Sequence, residues 1–154
     1  MKKNKIIYTI VAIVSIVLVA GLGSVFVNLG MQWFNGLTKP SQWIPNYVIP
    51  IVWSIIYVLF AITLSLWINH GKIPKDTLVL LIANGVFNIL WCLVFFTLHL
   101  TFLGNVVIVI NLLLGLALLF TIFKYNSFYG YLTMIYPIWL FIATTLNTAL
   151  WILN

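Results

Sequence analysis

One apolar stretch of the sequence carries asparagine and tryptophan at helical spacing, and these residue types can bind a flat ligand. The residues that share this helical face are Asn84, Asn88, Trp91 and Phe95. Their steps of four, three and four residues place them in one row on a helix. Indole rings offer flat apolar surfaces, while amides donate and accept hydrogen bonds. The face therefore predicts either a ligand pocket or buried amides that hold neighbouring helices together.

Two further apolar stretches each place aromatic side chains along one helical face, with a few polar groups among them. The members of these faces are Ile49, Trp53, Tyr57 and Phe60 in the earlier stretch, and Tyr136, Trp139, Ala143 and Asn147 in the last one. Core packing or lipid contact can explain any single tryptophan. Three converging faces of this kind favour a pocket for a large, flat, apolar ligand.

Residues for conventional catalysis are scarce in the sequence. Asp76 is the only acid, Cys92 is the only cysteine, and His70 and His99 both fall in predicted connections. We therefore predict no metal site, no haem held by paired histidines within a helix, and no embedded carboxylate that relays protons. No Ser-His-Asp set, CxxC motif or phosphate-binding glycine loop is recognised. Any chemistry would come from a bound ligand, so no cofactor is required.

The composition is that of an integral membrane protein. Of 154 residues, 64% are hydrophobic and 5% are charged, whereas soluble domains carry about 25% charged residues. The apolar runs are continuous rather than alternating, and the mean hydropathy is +1.21. Because a bilayer core offers no hydrogen-bond partners to the backbone, such runs must cross it as helices.

The hydropathy pattern predicts an all-α integral membrane fold, a bundle of five transmembrane helices that fills residues 1–154 as one domain. We place the helices at 6–27, 47–68, 77–98, 104–123 and 130–153, each long enough for a hydrocarbon core of about 30 Å. The longest predicted connection, 28–46, is rich in tryptophan and proline. No internal repeat or low-complexity segment is recognised.

The lysines predict the direction of the bundle. With five crossings, six of the seven lysines fall on one side, and the exception is Lys39. The positive-inside rule then predicts a cytoplasmic membrane protein with its N-terminus inside and its C-terminus outside. The same rule explains the net charge of +6 better than nucleic-acid binding does, so no nucleic-acid partner is expected. The lysine-rich start resembles a signal peptide, but the run is long and favours an uncleaved first helix.

The stretch WFNGLTKPSQWIPNYVIPIVW, residues 33–53, has two interpretations. Tryptophan and tyrosine prefer the membrane interface, so it can be an aromatic belt. Alternatively, its prolines stiffen a lid over an opening at the outer end of the bundle. Aromatic residues concentrated in one connection favour the lid.

Motifs along the whole chain carry a family resemblance. They are Trp33-Phe34, Leu37-Thr38-Lys39-Pro40, Asn46, Val52-Trp53 and Tyr57, then Asn84, Asn88, Trp91 and Phe95-Phe96, then Tyr136, Trp139, Ala143-Thr144 and Leu146-Asn147. In order and spacing they resemble the TspO/MBR family, also called the tryptophan-rich sensory protein, translocator protein or peripheral-type benzodiazepine receptor family, and a bacterial member of it. The departures are Trp43 one place later than usual, Pro45 where two prolines are usual, Pro137 after the fifth-helix tyrosine, and Asn84 where glutamine is common.

The resemblance implies a five-helix bundle in the lipid bilayer, usually a homodimer, with a ligand pocket capped by the first outer loop. It also implies binding of porphyrins such as protoporphyrin IX and of synthetic benzodiazepine-site ligands. Some members degrade bound porphyrin in light, so the porphyrin acts as both ligand and photosensitiser. By the resemblance, Trp53 and Trp139 are candidates for photo-oxidation. The residues that it implies in ligand binding are Trp33, Pro45, Ile49, Trp53, Asn84, Asn88, Trp91, Trp139 and Ala143.

Three functions remain open at this point. The first is a membrane receptor or sensor that binds porphyrins, with light-dependent degradation of the ligand. The alternative is a transporter of tetrapyrroles or other apolar molecules, although the spans lack embedded charges and inverted repeats. A structural subunit without a ligand is the third. Bleaching of the bound pigment would indicate the first function, and flux of pigment through liposomes would indicate the second. The absence of tight ligand binding would leave the third.

Overall fold

The computed structural model describes residues 2–41 and 43–154, with side chains from residue 4 onward. Five helical stretches in this part are long and apolar enough to cross a membrane: Asn4–Gly36, Val48–His70, Lys75–Thr97, Thr101–Tyr125 and Ser127–Leu153. No strand occurs among the described residues. The predicted all-α fold with five transmembrane helices is therefore confirmed. The side-chain charges of Lys2 and Lys3, and Gln42 of the loop motif, lie outside the described part.

Helix α1 spans Lys2–Gly36, so it ends nine positions later than the predicted end at Val27. Asn28 and Gly30 looked like the start of a polar connection, but Gly30 is buried where α1 meets the segment that contains Phe96. A Cβ atom at Gly30 would overlap the Phe96 carbonyl oxygen. Glycine here therefore permits a close helix contact rather than a turn.

Helix α2 spans Val48–His70 and helix α3 spans Lys75–Cys92, both close to the predicted bounds. The third crossing continues as a π-helical turn, Leu93–Thr97, in which the Leu98 N–H donates to the Leu93 carbonyl. The chain then turns at His99, whose φ of 58° is left-handed. Stacking of the His99 ring against Trp33, with centroids 4.4 Å apart, accompanies this turn.

Helix α4 spans Thr101–Tyr125, and the fifth crossing consists of α5, Ser127–Thr133, and α6, Ile135–Leu153. The Asn126 side chain caps α5 by accepting from the Tyr129 N–H at 3.1 Å. The break at Met134 follows from Pro137, which has no N–H to donate to the Thr133 carbonyl four residues earlier. The predicted single helix over 130–153 is thus longer and divided.

The helices form a ring in which α1 packs on α2 and α3, α3 on α4, α4 on α6, and α2 on α5 and α6. We call the end that holds Lys5, Lys72, Lys75 and Lys124 the lysine end. We call the opposite end, which holds the connection 37–47 and Asn154, the loop end. Much of α1 faces outward with apolar residues, as a lipid-facing helix does.

Candidate functional site

The connection 37–47 is held at the loop end by side-chain hydrogen bonds. Asn154 accepts from the Thr38 N–H at 2.9 Å and donates to the Thr38 carbonyl at 3.1 Å. Within the connection, Trp43 Nε1 donates to Asn46 Oδ1 at 2.9 Å. Lys39 Nζ donates to the Phe34 carbonyl at 3.0 Å and lies over the Phe34 ring. The connection therefore covers the loop end in a defined position.

Beneath this connection lies a group of rings that we call the loop-end cluster. Its members are Trp33, Phe34, Trp43, Trp53, Trp91, Phe95 and Phe96. The ring centroids of Trp53 and Trp91 are 6.3 Å apart and their planes are tilted by 31°. Phe95 is buried and meets Trp33 edge to face at 5.5 Å. The rings fill this region by contacting one another at distances typical of aromatic pairs.

A network of amides and phenols lies next to the loop-end cluster, toward the middle of the bundle. Tyr136 Oη donates to Asn84 Oδ1 at 3.0 Å, and Asn111 Oδ1 is 3.4 Å from the same hydroxyl. Tyr57 Oη donates to Asn88 Oδ1 at 3.4 Å. These contacts join α3 to α2 and α6, so both predicted asparagines do connect helices, which was one of their two interpretations.

A second polar network joins α3, α4 and α6 nearer to the loop end. Trp91 Nε1 donates to Asn147 Oδ1 at 3.1 Å, and all of Trp91 is buried. Asn105 Oδ1 accepts from Thr148 Oγ1 at 2.8 Å and lies 3.5 Å from Asn147 Nδ2. The Trp91 indole is therefore fixed in position by a bond to another helix.

The Trp139 indole differs from that of Trp91 because its buried Nε1 has no hydrogen-bond partner among the residues that the structure describes. Asn111 Nδ2 is also buried without a partner. Leaving a buried donor unpaired costs about 1–3 kcal/mol, and such groups are uncommon in native structures. Trp139 lies in the core cluster against which Ile49 and Trp53 pack. An acceptor that enters this region would find a donor already in place.

The structure brings most of the predicted site residues together. All predicted members of the α3 and α6 faces are buried, whereas Ile49 and Trp53 on α2 are half-buried. Ala143 packs in the same core cluster as Trp91. Trp33 lies on the last turns of α1 rather than in the connection, and Pro45 lies exposed in the connection itself. Their roles in ligand binding stay predictions.

A large cleft lies in the other half of the bundle, and the sequence did not indicate it. Its volume is about 1040 Å³, and its walls come mainly from α1, α2 and α3. At the lysine end its rim includes Lys5 and Lys72, and at its deep end it reaches Tyr57, Asn84 and Asn88. Asn84 and Asn88 of the predicted ligand-binding residues line it, and so do Tyr57, Phe60 and Tyr136 of the predicted aromatic faces. We call it the lysine-end cleft.

Two polar residues of α4 were missed by the sequence reasoning. Asn111 is fully buried beside Tyr136, and Asn105 bonds to Thr148. The signal that could have found them is their position, since polar residues inside a transmembrane helix usually face the interior. For metals, the residues from 2 to 41 and from 43 to 154 contain no group of three His, Cys, Asp or Glu that could hold an ion.

Five apolar helices around an interior of aromatic rings and amides define an integral, multi-pass membrane protein. The chain belongs to the TspO/MBR family, whose model matches residues 10–152. The resemblance seen in the motifs is thereby confirmed.

The chain is similar to Protein CrtK of Rhodobacter capsulatus, at 30% identity over 79% of this chain and 78% of that protein. It is 28% identical to the tryptophan-rich sensory protein of Cereibacter sphaeroides, over 75% of this chain and 73% of the relative. A tryptophan-rich protein TspO of Archaeoglobus fulgidus is 26% identical and aligns over 97% of this chain and 98% of its own length. The similarity therefore extends through all five helices.

Proposed function

We propose that this protein is a membrane receptor or sensor that binds porphyrins of the protoporphyrin IX type at the loop end. The observation that carries the proposal is the unpaired, buried Nε1 of Trp139, which lies in the core cluster against which half-buried Trp53 and Ile44 of the connection pack. An unpaired donor among aromatic rings suits a flat ligand that has a few acceptor atoms. The names of the relatives, which include a sensory protein, agree with this class of function.

A flat ligand between the rings of the loop-end cluster requires Trp53 and Trp91 to move apart. A macrocycle between two parallel rings needs about 7 Å between them, twice the contact distance of about 3.5 Å. The Trp53 and Trp91 centroids are 6.3 Å apart and tilted. Trp91 is held by its hydrogen bond to Asn147. We therefore expect half-buried Trp53 and the connection above it to move when the ligand enters.

Charge at the loop end also suits a porphyrin with carboxylate groups. Lys39 is the only lysine of the connection, and its ammonium group lies 3.0 Å from the Phe34 carbonyl. It contacts the rings of Phe34 and Trp43 rather than an acid. A propionate could replace the neutral carbonyl as its partner and form a stronger, charge-assisted bond.

The proposed chemistry is light-dependent oxidation of the bound pigment. The illuminated porphyrin transfers energy to dioxygen, which then adds across a double bond of the macrocycle, so that both oxygen atoms end in the product. Dioxygen comes from the surroundings and no other oxidant is needed. Trp53 and Trp139 are the candidate indoles for a second route to the same product, in which an indole gives one electron to the excited pigment and the pigment passes it to dioxygen as superoxide. The indole radical cation then takes an electron back from the pigment, and the resulting pigment radical cation combines with the superoxide. The place of the two indoles next to one core cluster supports this assignment.

The binding test is titration of the purified protein with protoporphyrin IX in the dark, followed by quenching of tryptophan fluorescence. We expect saturable quenching, weakened about tenfold by Trp139→Leu, because about 1.4 kcal/mol of hydrogen bonding and stacking is lost. Trp151→Leu is the matched control, since this exposed tryptophan pairs with Phe102 away from the cluster. A synthetic benzodiazepine-site ligand should compete. Equal loss in both variants, or no saturable binding, would contradict the proposal.

The light test compares pigment absorbance before and after illumination. We expect the wild type to bleach protoporphyrin IX, and Trp53→Phe combined with Trp139→Phe to bind the pigment but bleach it more slowly. Trp151→Phe controls for the loss of an indole outside both core clusters. If the wild type binds and bleaches no faster than free pigment, the protein is a receptor without the light chemistry.

One observation favours transport as a second candidate. The Tyr57 ring lies 5.8 Å from the Trp53 ring and also lines the lysine-end cleft, so this side chain borders both regions. Movement of Tyr57 would connect the loop end to the cleft. Liposomes loaded with protoporphyrin IX test this. Protein-dependent efflux that Tyr57→Trp slows would support a path, whereas binding without efflux would leave the receptor.

A further inference from the structure

The lysine-end cleft is long and mostly apolar, and its length suits an acyl chain better than a small polar ligand. On α1 its lining residues run from Asn4 to Val19, with Ser15 among the few polar ones. Fifteen helical steps at about 1.5 Å each give a length of roughly 22 Å. One leaflet of a hydrocarbon core is about half of 30 Å, so a chain from one leaflet fits along the cleft.

The cleft is open to the side, where the bilayer lies. Among its lining residues, Val11, Ile82 and Val86 are 56%, 59% and 55% exposed. These apolar side chains stand on α1 and α3 at the two edges of the opening. An apolar cleft that opens into a membrane is bordered by lipid chains, so a bilayer lipid reaches it without crossing water.

The end of the cleft carries positive charge without a nearby acid to neutralise it. Lys5 Nζ bonds only to a neutral group, the Asn69 carbonyl, at 2.7 Å. Lys72 is exposed on the same rim. The only acid of the chain, Asp76, lies 3.7 Å from Lys124 and is also bound by the Tyr125 hydroxyl. An anionic group at the rim would therefore meet lysines whose charge is not already paired with an acid.

We propose that the lysine-end cleft binds one anionic glycerophospholipid from the adjoining leaflet. Its phosphate lies between Lys5 and Lys72, and one acyl chain follows the cleft between α1 and α3 toward Ser15 and Val19. The acyl chain ends where the cleft ends, at the amide and phenol network that includes Asn88 and Tyr57. The headgroup end of this site, at Lys5 and Lys72, lies at the opposite end of the bundle from the connection 37–47, so lipid retention is measured independently of porphyrin binding.

The experiment is native mass spectrometry of the whole protein released from mixed micelles that contain phosphatidylglycerol or phosphatidylcholine with identical chains. We expect one phosphatidylglycerol to be retained in preference to phosphatidylcholine. Since each lysine near an anionic lipid contributes about 1 kcal/mol, Lys72→Gln should weaken retention about fivefold. Lys39→Gln, which removes the same charge at the loop end, should leave retention unchanged.

A second pair of variants tests the chain rather than the headgroup. Ser15→Phe places a ring in the middle of the cleft and should abolish the retained lipid. Ser24→Phe makes the same change on α1 outside the lining residues and should not. The preference of the wild type for phosphatidylglycerol remains measurable even if a variant fails to fold.

Three results would overturn the proposal. One is equal retention of the two lipids by the wild type, and another is equal loss in the Lys39→Gln and Lys72→Gln variants. The third is release of the lipid when one equivalent of protoporphyrin IX binds, together with loss of porphyrin binding in Ser15→Phe. That last result would assign the cleft to the porphyrin instead.

Discussion

The two ends of the bundle contrast in how their interiors are filled. At the loop end, large rings from α1, α2 and α3 pack against each other under a hydrogen-bonded connection. At the lysine end, mostly aliphatic walls enclose about 1040 Å³ of open space. The side chains at the loop end pack against one another, whereas those that line the cleft leave an open space between them.

This contrast has a physical origin in the residues of α3. The end of α3 and the π-helical turn that follows it carry Trp91, Phe95 and Phe96, whose rings contact rings of α1 and α2. The first half of α3 carries Gly85, which has no side chain, and Leu81 beside the cleft. The third crossing thus borders both the filled loop end and the open lysine-end cleft. Substitutions should therefore have large effects at the loop end and small ones at the cleft.

The largest effect is expected for Phe95→Ala at the loop end. Phe95 is 1% exposed and contacts Trp33, Trp91 and Phe96, so its removal leaves a cavity. We expect a loss of about 3 kcal/mol in the free energy of unfolding, measured by denaturant titration in micelles. Phe120→Ala, at a ring that is 75% exposed, should change stability by less than about 0.5 kcal/mol. Similar losses in the two variants would remove the contrast.

Gly30→Ala should cost about 2 kcal/mol, since the added Cβ would overlap the Phe96 carbonyl oxygen and force α1 away from the π-helical turn. Gly21→Ala in the same helix has open space around the new methyl group. It should stabilise the helix by about 0.5–1 kcal/mol. The two substitutions are thus expected to shift the melting temperature in opposite directions, and shifts of the same sign would argue against the close contact.

Asn147→Leu should cost about 1 kcal/mol, because Trp91 Nε1 loses its acceptor inside the bundle while the side-chain volume is kept. Asn35→Leu, at an exposed position near the end of α1, serves as the control and should have little effect. The melting temperature reports stability, and the emission of Trp91 in a variant with the other tryptophans replaced reports the bond. An unchanged emission spectrum would indicate that the bond does not form.

The smallest effect is expected for Val86→Ala on the wall of the cleft. This side chain is 55% exposed, so its removal should change stability by less than about 0.5 kcal/mol. Ile108→Val removes a single methylene group from a fully buried site, yet should cost about 1 kcal/mol. Thermal unfolding of the two variants, measured side by side, compares their losses of stability. A larger loss at Val86 would mean that the cleft is closed in solution.

Much of the fold follows from hydropathy, because each crossing is a continuous apolar run. The error at the end of α1 arose because Gly30 reads as a turn residue in isolation, and only the position of Phe96 reveals it as a contact. The break at Met134 was available from Pro137, whose missing N–H leaves the Thr133 carbonyl unpaired. Helix existence is thus encoded locally, whereas helix length depends on partners.

The same distinction between local sequence and distant contacts applies to the candidate site. The faces that hold Trp91 and Trp139 are visible as helical spacing, and the structure buries both indoles. The lysine-end cleft could not be predicted, because it depends on the distance between α1 and α3 rather than on any motif. Lys5 and Lys72 are 67 positions apart in sequence, and only the fold places them on one rim.

The hydrogen bonds between Thr38 and Asn154 join positions 116 residues apart. They join the connection between α1 and α2 to Asn154, the residue that follows α6. A pulling force applied at the C-terminus therefore reaches the connection 37–47 before it can peel α6 from α4. Displacement of Asn154 would therefore also displace the connection that covers the loop end.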